Sequence, residues 1–145
     1  MKGGVVMTPE ASKRVMIRFT EFINTASEAL AAELISPDAI FHVPGRHEPM
    51  RGPAGYLAII QMMREGFPDI QWTLEEMIAE GDKVAARFTM RGTHLGTFFG
   101  TPSTGKKIAV QALNIYRLSG GQIIEETGQP DLLGLLQQIG AVPAK

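Results

Sequence analysis

Apolar residues recur at helical spacing in the first half of the chain. A helix is predicted from Thr8, where a hydroxyl, a proline and an acid follow one another, and its apolar positions continue to Ile23. A second, short helix is predicted over 27–34, and the Ser-Pro-Asp sequence at 36–38 is expected to end it. A third helix is predicted over about 54–65, between a loop rich in Gly and Pro and a Gly-Phe-Pro break.

The second half of the chain has the alternation that is typical of strands. Four strands are predicted there: 70–75, 83–91, 108–118 and 122–127. A fifth strand, 39–43, is predicted in the first half, between the second and third helices. The last two strands of the chain are joined by Ser-Gly-Gly, which is typical of a hairpin, and 131–139 is predicted to form a short closing helix. The glycine-rich stretch 92–105 is expected to be a wide hairpin connection.

Helices that precede an uninterrupted run of strands indicate an α+β domain, with the helices on one face of an antiparallel sheet. A strongly curved sheet of this kind forms an open cone, and its mouth is a natural pocket for a small hydrophobic molecule. Aromatic and methionine side chains are expected to line this pocket: Tyr56, Met63, Phe67, Trp72 and Phe98.

Composition narrows the class of protein. The chain has 145 residues with a formal net charge of −1, which gives no support to nucleic-acid binding. It has no cysteine, no apolar run near the ~20 residues that span a bilayer, and three histidines without metal-ligand spacing. We therefore expect a cytoplasmic protein with no metal and no membrane contact, made of one domain over 8–145 and a flexible tail at 1–7.

Two segments resemble those of a known family. The sequence from Thr93 to Lys107 is similar to the motif H-x-G-x-x-x-G-x-P-x-T-G-[KR] of the SnoaL-like polyketide cyclases. The closing segment from Asp131 to Gly140 resembles the D-x-x-G-x-x-x-Q-[LI]-G ending of the same family. The first half agrees in outline, with a helix pair, a strand that carries His42, and Gly52 before the third helix.

The resemblance implies the nuclear transport factor 2-like fold, also called a cystatin-like α+β barrel, and a homodimer packed through its sheets. It implies an ester cyclase that performs an intramolecular aldol ring closure on a polyketide methyl ester, without metal or organic cofactor. In that reaction a side-chain acid/base removes a proton beside a carbonyl, and hydrogen-bond donors stabilise the enolate oxygen.

Both acid/base positions of the family differ here. The family has an Asp three residues before the closing motif, where this chain has Gly128, and a His on the preceding strand, where this chain has Asn114. Glu126 lies two residues before Gly128, so in an extended strand it is expected to point the same way, into the cone. A carboxylate buried there would have a raised pKa, as a base requires; a bulge or frayed strand would leave it in solvent.

The other candidates for catalysis each have a simpler structural interpretation. Asn114 is a candidate oxyanion donor, expected to face the pocket because Leu113 and Ile115 face the other way. His42 is placed on a strand that lines the cone, as a pocket residue or a core histidine. For His94 and Asp131 the simpler roles are a hydrogen bond that anchors the loop and a helix N-cap.

Three functions remain open at this point. The first is a cofactor-free cyclase acting on a hydrophobic carbonyl compound. The second is a non-catalytic binding protein that keeps the pocket and has lost the base, as Gly128 and Asn114 suggest. The third is an enzyme of the same fold that resembles a ketosteroid isomerase or an epoxide hydrolase. In the isomerase, Tyr56 or Tyr116 would be the oxyanion donor. The epoxide hydrolase would need an Asp-Arg-Asp set in the pocket. The fold alone does not decide among them.

Overall fold

A computed structural model describes residues 7–144, which form four helices and six strands. The elements are, in chain order, α1 (Pro9–Thr25), α2 (Glu28–Leu34), β1 (Ile35–His42), β2 (Met50–Arg51), α3 (Gly52–Gly66), β3 (Gln71–Glu80), β4 (Lys83–Thr93), β5 (Lys107–Ser119), β6 (Gln122–Pro130) and α4 (Leu132–Gln138).

The six strands form one curved sheet in the order β2–β1–β6–β5–β4–β3. Neighbouring strands are antiparallel except β1 and β6, which run parallel. Helices α1, α2 and α3 pack against one face, where their apolar residues share a core with those of β1, β4, β5 and β6. The α+β class predicted from the order of helical and alternating segments is confirmed.

Side-chain caps fix where the helices begin. Thr8 Oγ1 accepts a hydrogen bond from the Ala11 N–H at 3.0 Å, as the sequence predicts for the start of α1. Ser27 Oγ accepts one from the Leu30 N–H at 3.2 Å and so caps α2. These bonds satisfy N–H groups that have no partner inside the helix.

Strand β1 begins earlier than predicted. It starts at Ile35 and not at Ala39, so residues 36–38 lie inside the strand, where the sequence analysis placed only a helix end. The pairing with β6 shifts between Ile35 and Ile40, and Pro37 lies within this irregular stretch. Proline has no N–H to donate to a regular ladder, so an irregularity is where a strand tolerates it.

Strand β6 contains a bulge that decides which side chains face the helices. Leu118 pairs with Ile123 and Arg117 pairs with Glu125, so Ile124 is an extra residue on β6. Beyond it, Glu126 lies opposite Tyr116, and both side chains are buried. Bulges of this kind re-aim the side chains that follow them.

The loop between β4 and β5 packs on the end of α3. The N–H groups of Leu95 and Gly96 both donate to the Gly66 carbonyl oxygen at 3.1 Å. A Cβ atom on Gly96 would overlap the carbonyl oxygen of Glu65, so only glycine fits at this close approach. The loop carries Phe98, which reaches the cavity described below.

Replacing Gly96 with alanine is therefore expected to destabilise the fold by about 3 kcal/mol, because the added methyl group forces the backbone apart. Urea denaturation followed by circular dichroism would measure the loss. Gly100→Ala is the matched control: nothing lies within 4 Å of its Cβ position, and only its positive φ of 78° is penalised, at about 1 kcal/mol. Equal losses in the two variants would contradict the close approach at Gly96.

The predicted tail at 1–7 lies outside the described residues except for Met7. Met7 is buried in the core, and its sulfur accepts a hydrogen bond from the Gly121 N–H at 3.2 Å. Within residues 7–144 no helix is both long enough and apolar enough to cross a membrane. The cytoplasmic location and the domain bounds stay predictions.

Candidate active site

A cavity opens between α3 and the concave face of the sheet. The cavity and the open solvent at its mouth together span about 750 Å³, and most of the cavity wall is apolar. Seven elements and two loops contribute its lining: Phe41, His42, Val43, Pro44, Tyr56, Ile59, Met62, Met63, Trp72, Met90, Phe98, Phe99, Ala112, Asn114, Glu126, Gly128, Pro130 and Leu132. Its few polar side chains are therefore candidates for chemistry.

Glu126 is an acid inside this cavity. Its side chain is buried, and burial raises its pKa from 4.5 to about 7, because the apolar surroundings disfavour the charged form. The hydroxyls of Tyr56 and Tyr116 act in the opposite direction and lower the pKa. Among the described residues, no group donates a hydrogen bond to the buried Oε1. The geometry agrees with the prediction that Glu126 points into the cone.

An aromatic cluster holds the two tyrosines in place. The Tyr56 ring lies 5.1 Å from Phe19 and 4.8 Å from Phe41, edge to face in both cases, and the Tyr116 ring lies 5.5 Å from Phe19. Burial, followed by the charge of Glu126, raises the pKa of both phenols well above 10. Both hydroxyls therefore stay protonated near neutral pH and can donate hydrogen bonds.

Asn114 is buried on the same face of β5 as Tyr116, as predicted. Its Nδ2 donates to the Tyr116 hydroxyl at 3.1 Å, and its Oδ1 accepts from the Gln129 N–H at 3.0 Å. Because the Tyr116 oxygen already accepts from Asn114, the phenolic proton is free to point toward Glu126. Asn114 thus orients Tyr116 and retains one amide N–H for a ligand.

Gly128 leaves room that the Glu126 carboxylate uses. A Cβ atom on Gly128 would lie 3.3 Å from Glu126 Oε2 and 3.5 Å from Asn114 Oδ1. The Glu126 carboxylate thus lies in the space next to residue 128. An aspartate at residue 128 would place its own side chain beside the same space. We call this place the carboxylate seat.

His42 lies at the rim of the cavity with its ring turned away. Phe41, its neighbour on β1, is buried, whereas the His42 side chain is 44% exposed, and its Nε2 lies 2.9 Å from Glu125 Oε2. Alternation along β1 explains this, because Phe41 takes the inward position. His42 therefore belongs to the cavity lining, as one of the two interpretations expects, and is not a core histidine; a catalytic role for it stays a prediction.

His94 and Asp131 lie outside the cavity lining. Nδ1 of the buried His94 accepts a hydrogen bond from the Thr104 N–H at 3.2 Å, so the ring anchors the loop. Asp131 Oδ1 accepts from the Gly134 N–H at 2.8 Å and caps α4. In both cases the simpler interpretation given by the sequence agrees with the contacts.

Four of the five residues expected to line the pocket do so: Tyr56, Met63, Trp72 and Phe98 lie in the cavity wall. Phe67 does not. It is fully buried behind the wall, with its ring 5.1 Å from Phe98 and 5.4 Å from His94. It follows the end of α3, where it fills the space under the β4–β5 loop.

Tyr116 is one of the two tyrosines that the sequence offers as an oxyanion donor, and the structure places it opposite Glu126. Alternation along β5 contains the signal, because Asn114 and Tyr116 are two residues apart and must share a face. What the sequence does not show is that β6 brings Glu126 opposite Tyr116, since this depends on the bulge.

The cavity thus combines a base with two donors in apolar surroundings. A carboxylate with a pKa near 7 can take a proton from carbon, and a neutral phenol can donate to the developing oxyanion. The lining contains no arginine or aspartate, so the Asp-Arg-Asp set of an epoxide hydrolase is not formed there. No group of three metal-ligating side chains converges within residues 7–144, and the expectation that no cofactor is needed stays a prediction.

Comparison with known proteins agrees with the fold and with the family resemblance. The sequence model of the SnoaL-like polyketide cyclases matches residues 13–139. An aklanonic acid methyl ester cyclase of Streptomyces peucetius is 29% identical over 130 residues, which cover 85% of this chain and 86% of that protein. A nogalonic acid methyl ester cyclase of Streptomyces nogalater is 28% identical over 119 residues, 81% of this chain and 88% of that one.

Among solved structures, IdmH of Streptomyces antibioticus superposes with a TM-score of 0.80 at 32% sequence identity. The superposition covers 88% of this chain and 97% of IdmH. The similarity therefore extends over the whole cone and is not confined to the two motifs at the end of the chain.

Proposed function

This chain belongs to the SnoaL-like polyketide cyclase family, and we propose that it binds a hydrophobic carbonyl compound in the cone and closes a ring on it by an aldol reaction, with Glu126 as the base. The methyl esters of polyketide acids named for its relatives are the first substrates to test. The observation that carries the proposal is the Glu126 carboxylate, buried at the cavity wall with a pKa of about 7.

In the proposed reaction, Glu126 removes a proton from the carbon beside the ester carbonyl. The resulting enolate attacks a ketone carbon of the same molecule, one carbon–carbon bond forms, and the ketone oxygen takes up the proton. Substrate and product are isomers, so no oxidant, reductant or co-substrate is consumed. An acid whose pKa lies close to the working pH serves both proton transfers.

The enolate oxygen needs a donor, and we assign this role to the Tyr56 hydroxyl, which belongs to the cavity lining. Asn114 orients the Tyr116 hydroxyl through a hydrogen bond and supplies one further amide N–H, and the Tyr116 hydroxyl lowers the pKa of Glu126. Donors that are fixed before the charge develops stabilise it without reorganisation. The aromatic cluster around Tyr56 provides this rigidity.

Incubation of the purified protein with aklanonic acid methyl ester and nogalonic acid methyl ester tests the proposal. The expected product has the mass of the substrate and a shorter conjugated system, so liquid chromatography with mass and absorbance detection identifies it. A substrate deuterated beside the ester carbonyl is expected to exchange its label with water. A ligand that binds tightly but neither cyclises nor exchanges would favour the non-catalytic binding protein instead.

We also propose that two copies of the chain pair through the outer face of the sheet. Ile78, Ala85 and Ile115 lie in one row across β3, β4 and β5, and the exposed Leu113 lies beside it. Exposed apolar residues in a cluster are typical of interaction surfaces. Leu113→Arg is expected to convert a dimer to a monomer in analytical ultracentrifugation, whereas Ile17→Arg, on the exposed face of α1, is expected to leave the mass unchanged.

A further inference from the structure

Within residues 7–144, the Glu126 carboxylate has no positively charged partner inside the cavity. No lysine or arginine contributes to the lining, and no ion pair among the described residues includes Glu126. At the rim, His42 directs its Nε2 to Glu125, outside the cavity. An unpaired charge in an apolar site is costly, so a ligand that brings its own positive charge would offset this cost.

The aromatic and methionine residues of the cavity wall suit a ligand with a positive charge. Tyr56, Trp72 and Phe98 present aromatic rings to the cavity, and three methionines fill the space between them: Met62, Met63 and Met90. Aromatic faces attract ammonium groups, and methionine side chains adapt to apolar bodies of different shapes. The same walls offer no donor for a ligand carboxylate other than Tyr56 and the free N–H of Asn114.

We infer that the cavity binds a second class of ligand beside the neutral carbonyl compound: a hydrophobic ammonium, with an aromatic or alicyclic body and one amino group placed against Glu126. Such a ligand pairs with the carboxylate and leaves its body among the aromatic rings. A ligand of the same shape that carries a carboxylate is excluded, because it meets Glu126 with like charge. The site would therefore select ligands by charge independently of any turnover.

Three compounds of one shape test this selection by isothermal titration calorimetry at pH 8, where Glu126 is ionised: naphthylmethylamine, naphthylmethanol and naphthoate. The amine is expected to bind at least about tenfold more tightly than the alcohol, which corresponds to 1.4 kcal/mol. Naphthoate is expected to show no binding. Equal affinities for amine and alcohol, or no binding of the amine, would overturn the inference.

Two variants separate the role of Glu126 from general electrostatics. Glu126→Gln is expected to remove the preference for the amine and to keep the affinity for the alcohol, which also reports that the cavity is intact. Glu125→Gln removes the same charge one residue away, on the other face of β6, and is expected to keep the preference. A preference that survives in Glu126→Gln, or that is lost equally in Glu125→Gln, would contradict the inference.

Turnover and charge selection can fail separately. A wild-type protein that prefers the amine and yet cyclises no ester would leave the ammonium site standing and overturn the proposed catalytic function. A protein that cyclises an ester and shows no preference for the amine would support the catalytic function and overturn the ammonium site. In an active protein the amine is also expected to compete with the ester, raising the apparent KM without changing kcat.

Discussion

Glu126→Gln is expected to lower kcat for ring closure by about a thousandfold, since glutamine keeps the shape of the side chain and cannot accept a proton from carbon. The substrate affinity is expected to change little, because the walls of the cavity are untouched. Steady-state kinetics on the methyl ester that the wild-type protein converts would measure both quantities. In the wild-type protein kcat is expected to rise with pH and to level off above about 7, as Glu126 loses its proton.

Two further variants make this test specific. Glu125→Gln is expected to keep kcat within about threefold, because its side chain lies on the other face of β6, where it pairs with His42 and Arg117. Glu126→Ala combined with Gly128→Asp is expected to restore part of the activity of Glu126→Ala, because an acid on residue 128 begins next to the carboxylate seat. A fully active Glu126→Gln protein would remove Glu126 from the mechanism.

Glu126→Gln is also expected to stabilise the fold at high pH. In the folded protein Glu126 keeps its proton up to a pH of about 7, whereas in the unfolded chain its pKa returns to about 4.5. Between these values the folded state binds more protons, so stability falls as pH rises, and the full cost of the buried charge is present above pH 7. Glutamine carries no charge, so Glu126→Gln is expected to be more stable than the wild-type protein by about 3 kcal/mol at pH 8.

Below pH 4.5 the advantage of Glu126→Gln is expected to vanish, because Glu126 is then neutral in both states. Urea denaturation of both proteins from pH 4 to pH 8.5 would measure the difference, and using a difference cancels the titration of the other carboxylates. Glu125→Gln, at a position that keeps contact with solvent and is paired with Arg117, is expected to show little change of this kind. A difference that is the same at every pH would argue against a buried ionisable Glu126.

Much of the fold could be predicted from the sequence, because its signals are local. The N-cap at Thr8 and the alternation in β4 and β5 depend only on near neighbours, and all agree with the structure. The predicted start of β1 was wrong, because β1 pairs with β6, which is distant in the sequence. This long-range pairing outweighs the local signal of Ser-Pro-Asp.

In the candidate site, too, local patterns predict some features and contacts distant in the sequence decide the others. Glu126 and Asn114 could be placed in the cone from strand alternation, whereas the pairing of His42 with Glu125 could not, since the two residues lie on strands far apart in the sequence. The distance from Gly128 to the Glu126 carboxylate could not be predicted either. It depends on side-chain length and strand curvature together, which no sequence pattern expresses.

The bulge at Ile124 has a consequence for the robustness of this protein. With unbroken pairing from the hairpin onward, Glu125 and not Glu126 would lie opposite Tyr116. A slip of one residue usually exchanges a polar face for an apolar one. In β6 it exchanges one glutamate for the next, so an acid faces the cavity in either pairing. Two consecutive glutamates thus make the strand tolerant to a pairing error at the one place where the proposed chemistry requires a charge.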